Sequence, residues 1–426
     1  MEVTIKTLYR KIILICIIFL STLIFLDNLS GLNMYNSPNI WVAFLLNLFV
    51  VFLSLLFNGI DFVTMLLFCI VILLVPLMIQ YFTGASYGIL NLNIIQLKMP
   101  ELFEYTFTYS VIFLLLSIVF NFKDNEYLLI SKVKIRSSNY SIYFNNAIAI
   151  IFTIVAFPRL GFSTNAESRF DMLLPGHAWN QLVIVGLLFN LPYLKKRSVK
   201  ITYLFVIFWF LIDGERADIT GLFLGLFIYY IMTHSLSKNM WKMVLLIFIL
   251  LFILIILNNI AAVRNRTAIS NNLYSLLVTP TISDVGYLLN VAIDYLGNYG
   301  PLHGKILISN FWSAIPLSNT IGFTDIINTA NYMNPGGEPF LAEPIMDFGK
   351  YGVVIIAFLD FLIFRFFIEF KNKFFKLEFL LLLCSIPRIV WYGRSYVYTG
   401  IIFFIPVLFI INVIINQKGS KIDADL

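Results

Sequence analysis

Seven arginines, all in or beside the links between apolar runs, are the residues of this chain best suited to chemistry. A guanidinium group donates in a planar fork that matches phosphate oxygens, which an ammonium group does not. If the N-terminus is cytoplasmic, all seven lie on the outer side of a membrane, where the positive-inside rule does not explain them. The pattern therefore predicts an outer site for a phosphate-bearing, lipid-linked substrate.

A short turn between two apolar runs, DGERAD at 213–218, places Arg216 among three carboxylates. The turn is too short to leave the membrane surface, where an unpaired arginine is costly. Two interpretations remain open. Arg216 forms an interfacial salt-bridge cluster with Asp213, Glu215 or Asp218, or those acids hold it as a clamp for a phosphate or another leaving group.

A second acidic group lies in GGEPFLAEPIMDFGKYG at 336–352, which leads into a later apolar run. Glu343 precedes Pro344, which suits the start of a helix, and Asp347 follows four residues later on the same side. A helix start also offers free amide donors. Either these acids cap a helix that re-enters the membrane, or Glu343, with or without Asp347, orients arginines or activates a hydroxyl.

The remaining candidates are predicted to contact a diphosphate or an anionic headgroup, and the histidine among them is either structural or a general base. Aromatic residues surround the last two arginines and form either an interfacial belt or a sugar platform. In chain order, the candidates are Arg159, Arg169, Arg264, Arg266, His303, Arg388 and Arg394.

The sequence contains no nucleotide-binding or metal-binding pattern. A Walker A motif is absent, no GxGxxG stands in a strand–turn–helix context, and no carboxylate pair is accompanied by spaced histidines. We therefore predict no metal and no cofactor. The energy for a reaction on the outer side must then come with the substrate, and a sugar joined to a lipid diphosphate carries it in the anomeric bond.

The elements that position these residues are predicted to be membrane helices. Sixty per cent of the residues are apolar, 12% are charged and the mean hydropathy is +0.89, whereas soluble domains carry about 25% charged residues. We predict an all-α polytopic membrane protein with about 12 transmembrane helices. The spans are 11–27, 40–58, 60–80, 103–121, 141–158, 178–194, 200–213, 217–233, 241–258, 350–369, 376–391 and 397–415.

Lysines set the predicted orientation, because 15 of the 19 cationic residues assigned to the inner side are lysines. Both termini are therefore predicted to be cytoplasmic. The basic balance follows from this rule and does not indicate nucleic acid as a partner. Almost no charge lies within the predicted spans, and Asp360 is the main exception.

The spans divide the chain into 1–258 with nine helices, a large outer loop at 259–349, and 350–426 with three helices and a cytoplasmic tail. A structureless loop of that length is uncommon. Apolar residues at helical spacing between Ile282 and Leu296 predict an amphipathic helix that ends at Gly297. A second helix is predicted along the membrane surface at 306–317.

These features together resemble the Wzy-type O-antigen polymerases: many spans, one large outer loop late in the chain, the GERAD turn, and the EPIMDFGKYG stretch that leads into a span. The resemblance covers most of the chain as architecture but only these two stretches as motif. Among matching positions it points first to Arg216 and then to Glu343.

The resemblance implies a GT-C-like helical fold in a bacterial inner membrane. It implies undecaprenyl-diphosphate-linked oligosaccharide as donor and acceptor, membrane lipid as surroundings, and a chain-length regulator protein as partner. The growing chain would pass to a new lipid-linked repeat unit at the outer face. The alternatives are a flippase of lipid-linked oligosaccharide and an O-antigen ligase-like transferase. The sequence GKILISNFW after His303 does not match the ligase pattern.

Overall fold

The computed structural model consists of α-helices, and the part of the chain that it describes contains no β-strand. The helices follow one another as α1 (Ile40–Asn58), α2 (Phe62–Ile72), α3 (Ile94–Val119), α4 (Asn139–Ala156), α5 (Ala178–Asn190), α6 (Arg197–Asp213), α7 (Arg216–Thr233), α8 (Pro280–Tyr299), α9 (Lys305–Ser313), α10 (Phe323–Thr329), α11 (Ala342–Glu369), α12 (Lys373–Tyr392), α13 (Ser395–Thr399) and α14 (Ile405–Ile422), with a π-helical turn at Gly400–Phe404. The described residues are 16, 40–75, 77–78, 94–120, 138–157, 178–213, 216–233, 280–315, 320–334, 337–369 and 373–422.

Each predicted span that falls on described residues overlaps a helix, and α1 has the predicted bounds. Apart from residue 16, the predicted spans 11–27 and 241–258 lie outside the described residues. Within the described residues, three helical stretches are long and apolar enough to cross a membrane, and several shorter apolar helices accompany them. The three are Glu101–Val119, Asn139–Ala156 and Ser395–Gln417. The chain is therefore an all-helical membrane protein with several candidate transmembrane helices.

The helices turn apolar side chains outward and polar side chains inward, as expected where lipid is the solvent. On α11, Val354, Phe358 and Leu362 are exposed, whereas Asp360 faces the interior. On α4, exposed Ile151 lies opposite a buried face that carries asparagine, serine and threonine. A soluble helix shows the reverse arrangement.

Buried amide and hydroxyl groups connect α4 to α14. The Asn412 side chain donates to Asn145 Oδ1 over 3.0 Å and accepts from Asn145 Nδ2 over 2.9 Å. Ser141 donates to the same Asn412 oxygen. In lipid, helices cannot associate by the hydrophobic effect alone, so interhelical hydrogen bonds and close packing hold them together.

Two glycines on α7, one turn apart, let that helix pack closely against α12. A Cβ atom on Gly221 would lie 2.0 Å from the Cys384 carbonyl oxygen, and one on Gly225 would lie 2.3 Å from Cys384 Sγ. The spacing is that of the small-xxx-small pattern of membrane helix pairs. This contact sets the position of α12, which carries Arg388.

The amphipathic helix predicted in the large loop is confirmed as α8. Its buried face includes Val285, Leu288 and Ala292, and it packs against α3 and α11. The predicted stop at Gly297 is wrong, because the helix continues to Tyr299 and Gly300 follows with a φ of 79°. The second predicted helix is present as α9, where Phe311 and Trp312 are exposed.

Helix α11 folds back on itself at Gly349, whose φ of 62° and ψ of −141° are non-helical. The break frees carbonyl oxygens, and the preceding loop supplies donors for them: Leu302 N donates to Met346 O and His303 N donates to Asp347 O, each over 2.9 Å. The two arms are so close that a Cβ atom on Gly352 would lie 2.0 Å from the Pro344 carbonyl oxygen. The fold-back therefore requires glycine at both positions.

We predict that Gly352→Ala destabilises the protein by about 1–3 kcal/mol, because a methyl group there collides with backbone that cannot move without opening the fold-back. Thermal unfolding in detergent measures the effect. Gly322→Ala is the matched control, since the nearest atom to its added Cβ is a side-chain oxygen at 3.9 Å. Equal melting temperatures for the two variants would contradict the close approach at Gly352.

Candidate functional site

Arg394, the residue before α13, is the centre of a buried charge cluster. Its Nε and Nη2 atoms donate to the two carboxylate oxygens of Asp360 over 3.1 and 2.9 Å. Its Nη1 atom donates to the Phe340 carbonyl oxygen over 2.8 Å, and Tyr109 Oη donates to Asp360 Oδ2 over 3.0 Å. Asp360, the exceptional charge in a predicted span, is thus the bidentate partner of an arginine.

Glu343 is the second carboxylate of this cluster. Its Oε2 atom lies 3.7 Å from Arg394 Nη1 and accepts a hydrogen bond of 3.0 Å from Asn310 Nδ2. Its Oε1 atom has no hydrogen-bond partner among the described residues. Only 2% of Glu343 is exposed, because the first arm of α11 lies beneath the 337–341 loop and α9. Helix α11 begins at Ala342, so Glu343 lies in its first turn, as predicted.

Glu338 completes the acidic side of the cluster. The same Asn310 Nδ2 atom that contacts Glu343 also donates to Glu338 Oε1, over 2.7 Å. One amide therefore bridges two carboxyl groups. The loop that carries Glu338 is held to α12 by a hydrogen bond of 3.1 Å from Phe340 N to Val390 O. Unlike Glu343, Glu338 keeps part of its surface accessible.

The environment of the bridged pair favours the protonated form of both carboxyl groups. Burial of its carboxylate raises the pKa of Glu338 to about 8, the Glu343 charge adds to the rise, and Asn310 and Arg394 oppose it. Burial also raises the pKa of Glu343, against the opposing effect of Arg394. Glu338 therefore stays protonated to a higher pH than an unperturbed glutamate does.

Asp347 contacts backbone amides instead of an arginine. Its carboxylate accepts from Ile306 N over 3.1 Å and from Leu307 N over 2.8 Å. Helix α9 starts after Gly304, which has no side-chain oxygen to cap the helix, so Asp347 caps it from α11. Burial raises the pKa of Asp347, and these amides oppose the rise. The contacts favour a structural role, and the predicted role as a base stays a prediction.

His303 is an exposed residue in the turn before α9, with a left-handed φ of 54°. Its backbone amide donates to the Asp347 carbonyl oxygen. The structure thus places His303 beside the fold-back of α11. The contacts of this residue are those of its backbone, and its role as a general base stays a prediction.

Arg388 lies at a second cluster. It directly follows Pro387, which interrupts the backbone hydrogen bonds of α12. The rings of Tyr392 and Tyr396 lie 4.2 and 4.5 Å from its guanidinium carbon, which stabilises a desolvated cation. Its Nη1 atom is 3.9 Å from Asp218 Oδ2, longer than a hydrogen bond. Tyr396 Oη donates to Asp218 Oδ1 over 2.9 Å.

Asp218 therefore belongs to two of the predicted groups. It is the last acid of the DGERAD turn and lies in the first turn of α7, which begins at Arg216. Asn180 Nδ2, on α5, lies 3.4 Å from Asp218 Oδ2. The predicted pairing of these acids with Arg216 stays a prediction, and the arginine that the structure shows beside Asp218 is Arg388, from a distant part of the chain.

Several predicted site residues are outside what the structure describes. The backbone of Arg216 begins α7, but its side chain lies outside the described residues, as do the whole of Arg159, Arg169, Arg264 and Arg266. Their predicted roles stay predictions. Where side chains are described, no group of three or more His, Cys, Asp or Glu residues is arranged to hold a metal ion.

Sequence reasoning missed three members of the first cluster. Glu338 stood in the quoted GGEP stretch, and its proximity to Glu343 along the chain was the only available signal. Asn310 and Tyr109 gave none, because neither belongs to a motif or to a charge pattern in the sequence. The expectation that the spans hold almost no charge is also incomplete, since Glu378 in α12 is only 1% exposed.

We predict strong coupling between Arg394 and Asp360 in a double-mutant cycle. Arg394→Met or Asp360→Leu alone leaves a buried charge without its partner and costs about 3–5 kcal/mol, whereas the double variant loses less than the sum. Unfolding in detergent measures each free energy. Lys350 and Glu104 form the control pair at 3.3 Å, with the lysine side chain 58% exposed, and their coupling should not exceed about 1 kcal/mol. Additive losses at Arg394 and Asp360 would contradict the buried pair.

We predict that Glu338 makes the stability of the protein depend on pH. The pKa of Glu338 is about 8 in the folded protein and 4.5 when unperturbed, so folding takes up a proton between these values. The contribution of Glu338 to the free energy of unfolding is therefore greatest below pH 4.5 and is lost as the pH rises through 8. Relative to wild type, Glu338→Gln should therefore gain melting temperature progressively from pH 5 to about 8.5. The exposed Glu101→Gln controls for removal of one charge. A pH-independent difference would show that Glu338 is not perturbed.

Three groups that are distant in sequence thus meet along one short segment, 388–396. Arg388 contacts the DGERAD turn through Asp218, and Arg394 contacts the EPIMD stretch through Glu343. No family model, no curated protein and no solved structure matches this chain. What the site does therefore has to be inferred from its residues and their contacts.

Proposed function

We propose that this chain is a glycosyltransferase that polymerises undecaprenyl-diphosphate-linked oligosaccharide repeat units at the outer face of a bacterial inner membrane. The observation that supports this most is the meeting of the DGERAD turn, the EPIMD stretch and the last interhelical loop along 388–396. The first two are the stretches in which the sequence resembles the Wzy-type polymerases. The segment 388–396 thus carries an arginine that contacts aromatic rings, and carboxyl groups from other helices lie against the same segment.

In the proposed reaction, a hydroxyl of the acceptor repeat unit attacks the anomeric carbon of the donor sugar. The bond from that carbon to the diphosphate oxygen breaks through a transition state with oxocarbenium character. Negative charge grows on the departing lipid diphosphate and must be stabilised in a partly desolvated site. We assign this task to Arg388, which lies on α12 near Asp218, and to Arg216, whose backbone begins α7.

Arg394 has a different task in this proposal. Asp360 and the Phe340 carbonyl oxygen take up its fork of N–H donors, and only 4% of the residue is exposed. It therefore positions the acidic side of the site instead of receiving phosphate. The roles predicted for Arg159, Arg169, Arg264 and Arg266 remain part of the proposal as further contacts to the lipid-linked substrate.

The proposed architecture has about 12 spans, a GT-C-like arrangement, cytoplasmic termini and the 259–349 loop on the outer side. Basic residues in the inner loops support the orientation. The loop is not a separate layer, because α8 packs against α3 and α11. A chain-length regulator protein remains a proposed partner, and the substrate brings its own activation, so no cofactor is required.

A flippase for the same lipid-linked oligosaccharides is the second candidate. Two buried carboxyl groups within predicted spans, Asp360 and Glu378, favour it, because transporters use intramembrane acids as relays. Within the described residues, both carboxylate oxygens of Glu378 have no hydrogen-bond partner. The arginine pairing of Asp360 and the location of the other acids near 388–396 favour surface chemistry instead.

Deletion of the gene distinguishes the two functions. If the chain is a polymerase, surface polysaccharide on a gel should shrink to anchors that bear a single repeat unit. If it is a flippase, all surface repeats should disappear and carrier-linked units should accumulate inside the cell. Polysaccharide of unchanged length and amount would exclude both.

We predict that Arg216→Ala and Arg388→Ala each lower polymer synthesis by about 100-fold or more at normal protein level, the effect typical of removing a donor to developing charge. Lysine at either position should restore little, because an ammonium group cannot form the planar fork. The gel profile of complemented deletion cells measures this. Arg197→Ala, an exposed arginine at the start of α6, is the control. Full polymer from Arg388→Ala would remove Arg388 from the mechanism.

A further inference from the structure

The acids around Arg394 differ in their access to a substrate. Glu343, Asp347 and Asp360 are buried, with 2%, 0% and 3% of each residue exposed. Glu343 accepts a hydrogen bond from Asn310, Asp347 caps α9, and Asp360 pairs with Arg394. Glu338 alone among these four keeps part of its surface accessible. It lies in the loop between α10 and α11, against the segment that links Arg388 to Arg394.

Asn310 holds the accessible acid next to a buried one. Its single Nδ2 atom donates to Glu338 Oε1 and to Glu343 Oε2 over 2.7 and 3.0 Å, so the two carboxyl groups are held side by side. The ion pair between Arg394 and Glu343 stabilises the inner carboxylate. The residue Glu338 keeps part of its surface accessible at the edge of the cluster, while burial of its carboxyl group raises its pKa to about 8, close to the operating pH that suits a general base.

We propose that Glu338 is the general base of the glycosyl transfer, with Glu343 and Asn310 as positioning residues; this inference rests on the proposed function. The acceptor hydroxyl loses its proton to the Glu338 carboxylate as its oxygen bonds to the anomeric carbon. The bond from that carbon to the diphosphate oxygen breaks, and the lipid diphosphate leaves with the electron pair. The protonated Glu338 then returns its proton to solvent, so atoms and charges balance without a further reactant.

The charges that face Glu338 come from three elements. Glu343 and Asp347 approach from α11 and Arg394 from the start of α13, while Asn310 on α9 is neutral. Tyr398, on α13, also interacts electrostatically with Glu338. Removal of the Glu343 charge lowers the pKa of Glu338, whereas removal of the Asn310 amide raises it. The two changes therefore move the ionisation of Glu338 in opposite directions.

The test uses the full-length protein in detergent with lipid-linked repeat units extracted from a strain that lacks this gene. Polymer formation is measured between pH 5.5 and 9. We expect the wild-type rate to rise with pH along an acid limb, and Glu338→Gln to lose about 100-fold or more of the activity. Glu343→Gln should lose less activity than Glu338→Gln does, and its acid limb should shift to lower pH. Asn310→Ala should shift it to higher pH, and the exposed Glu101→Gln should leave it in place.

The outcomes separate the base from its neighbours. Loss of activity in Glu343→Gln together with retention in Glu338→Gln would overturn the proposal and make Glu343 the base. An acid limb that neither Glu343→Gln nor Asn310→Ala moves would also overturn it, even if Glu338→Gln fails to fold. A wild-type protein that forms no polymer from the extracted units at any pH would instead overturn the proposed function itself.

Discussion

The buried pair of Arg394 and Asp360 is the interaction on which the rest of this site depends. A charge within the apolar part of a membrane protein is tolerated only if it is paired and hydrogen-bonded. Asp360 accepts two N–H groups from Arg394 and the hydroxyl of Tyr109, so α3, α11 and the start of α13 must meet at one point. The remaining donor of Arg394 then holds the Phe340 carbonyl oxygen, which places the acidic loop over the pair.

A second constraint works with this pair. The reversal of α11 at Gly349 lets one helix contribute to Arg394 twice, with Glu343 from one arm and Asp360 from the other. The carbonyl oxygens released by the reversal are satisfied by the loop before α9, and Asp347 caps that helix in return. Helix α9 is thereby oriented so that Asn310 reaches the acids. The Met346 and Asp347 carbonyl oxygens at the break thus have partners, as a low-dielectric interior requires.

The contacts show why residue type and spacing predict part of such a site and miss the rest. The residue type and location of Arg394 predicted that it binds phosphate. Its guanidinium N–H groups instead donate to the carboxylate of Asp360. Asp347 has the spacing of a partner to Glu343 but caps a helix. Glu338 and Asn310 carry no periodic or motif signal, because their contact joins residues 28 positions apart, one on α9 and the other in the loop before α11.

The apolar runs of the sequence and the lysines between them determined the presence of membrane helices and the bounds of α1. Helical periodicity determined the buried face of α8. Both predictions succeed because burial in lipid and helix geometry act locally along the chain. The same local rules marked the DGERAD and EPIMD stretches as sites of costly charge. Tertiary structure alone decided which charges meet: Asp218 with Arg388, and Asp360 and Glu343 with Arg394. Charge pairing depends on which helices meet in three dimensions. It requires the reversal at Gly349 and the close approach of α7 to α12, and the glycine spacing on α7 favours close packing without specifying the partner helix.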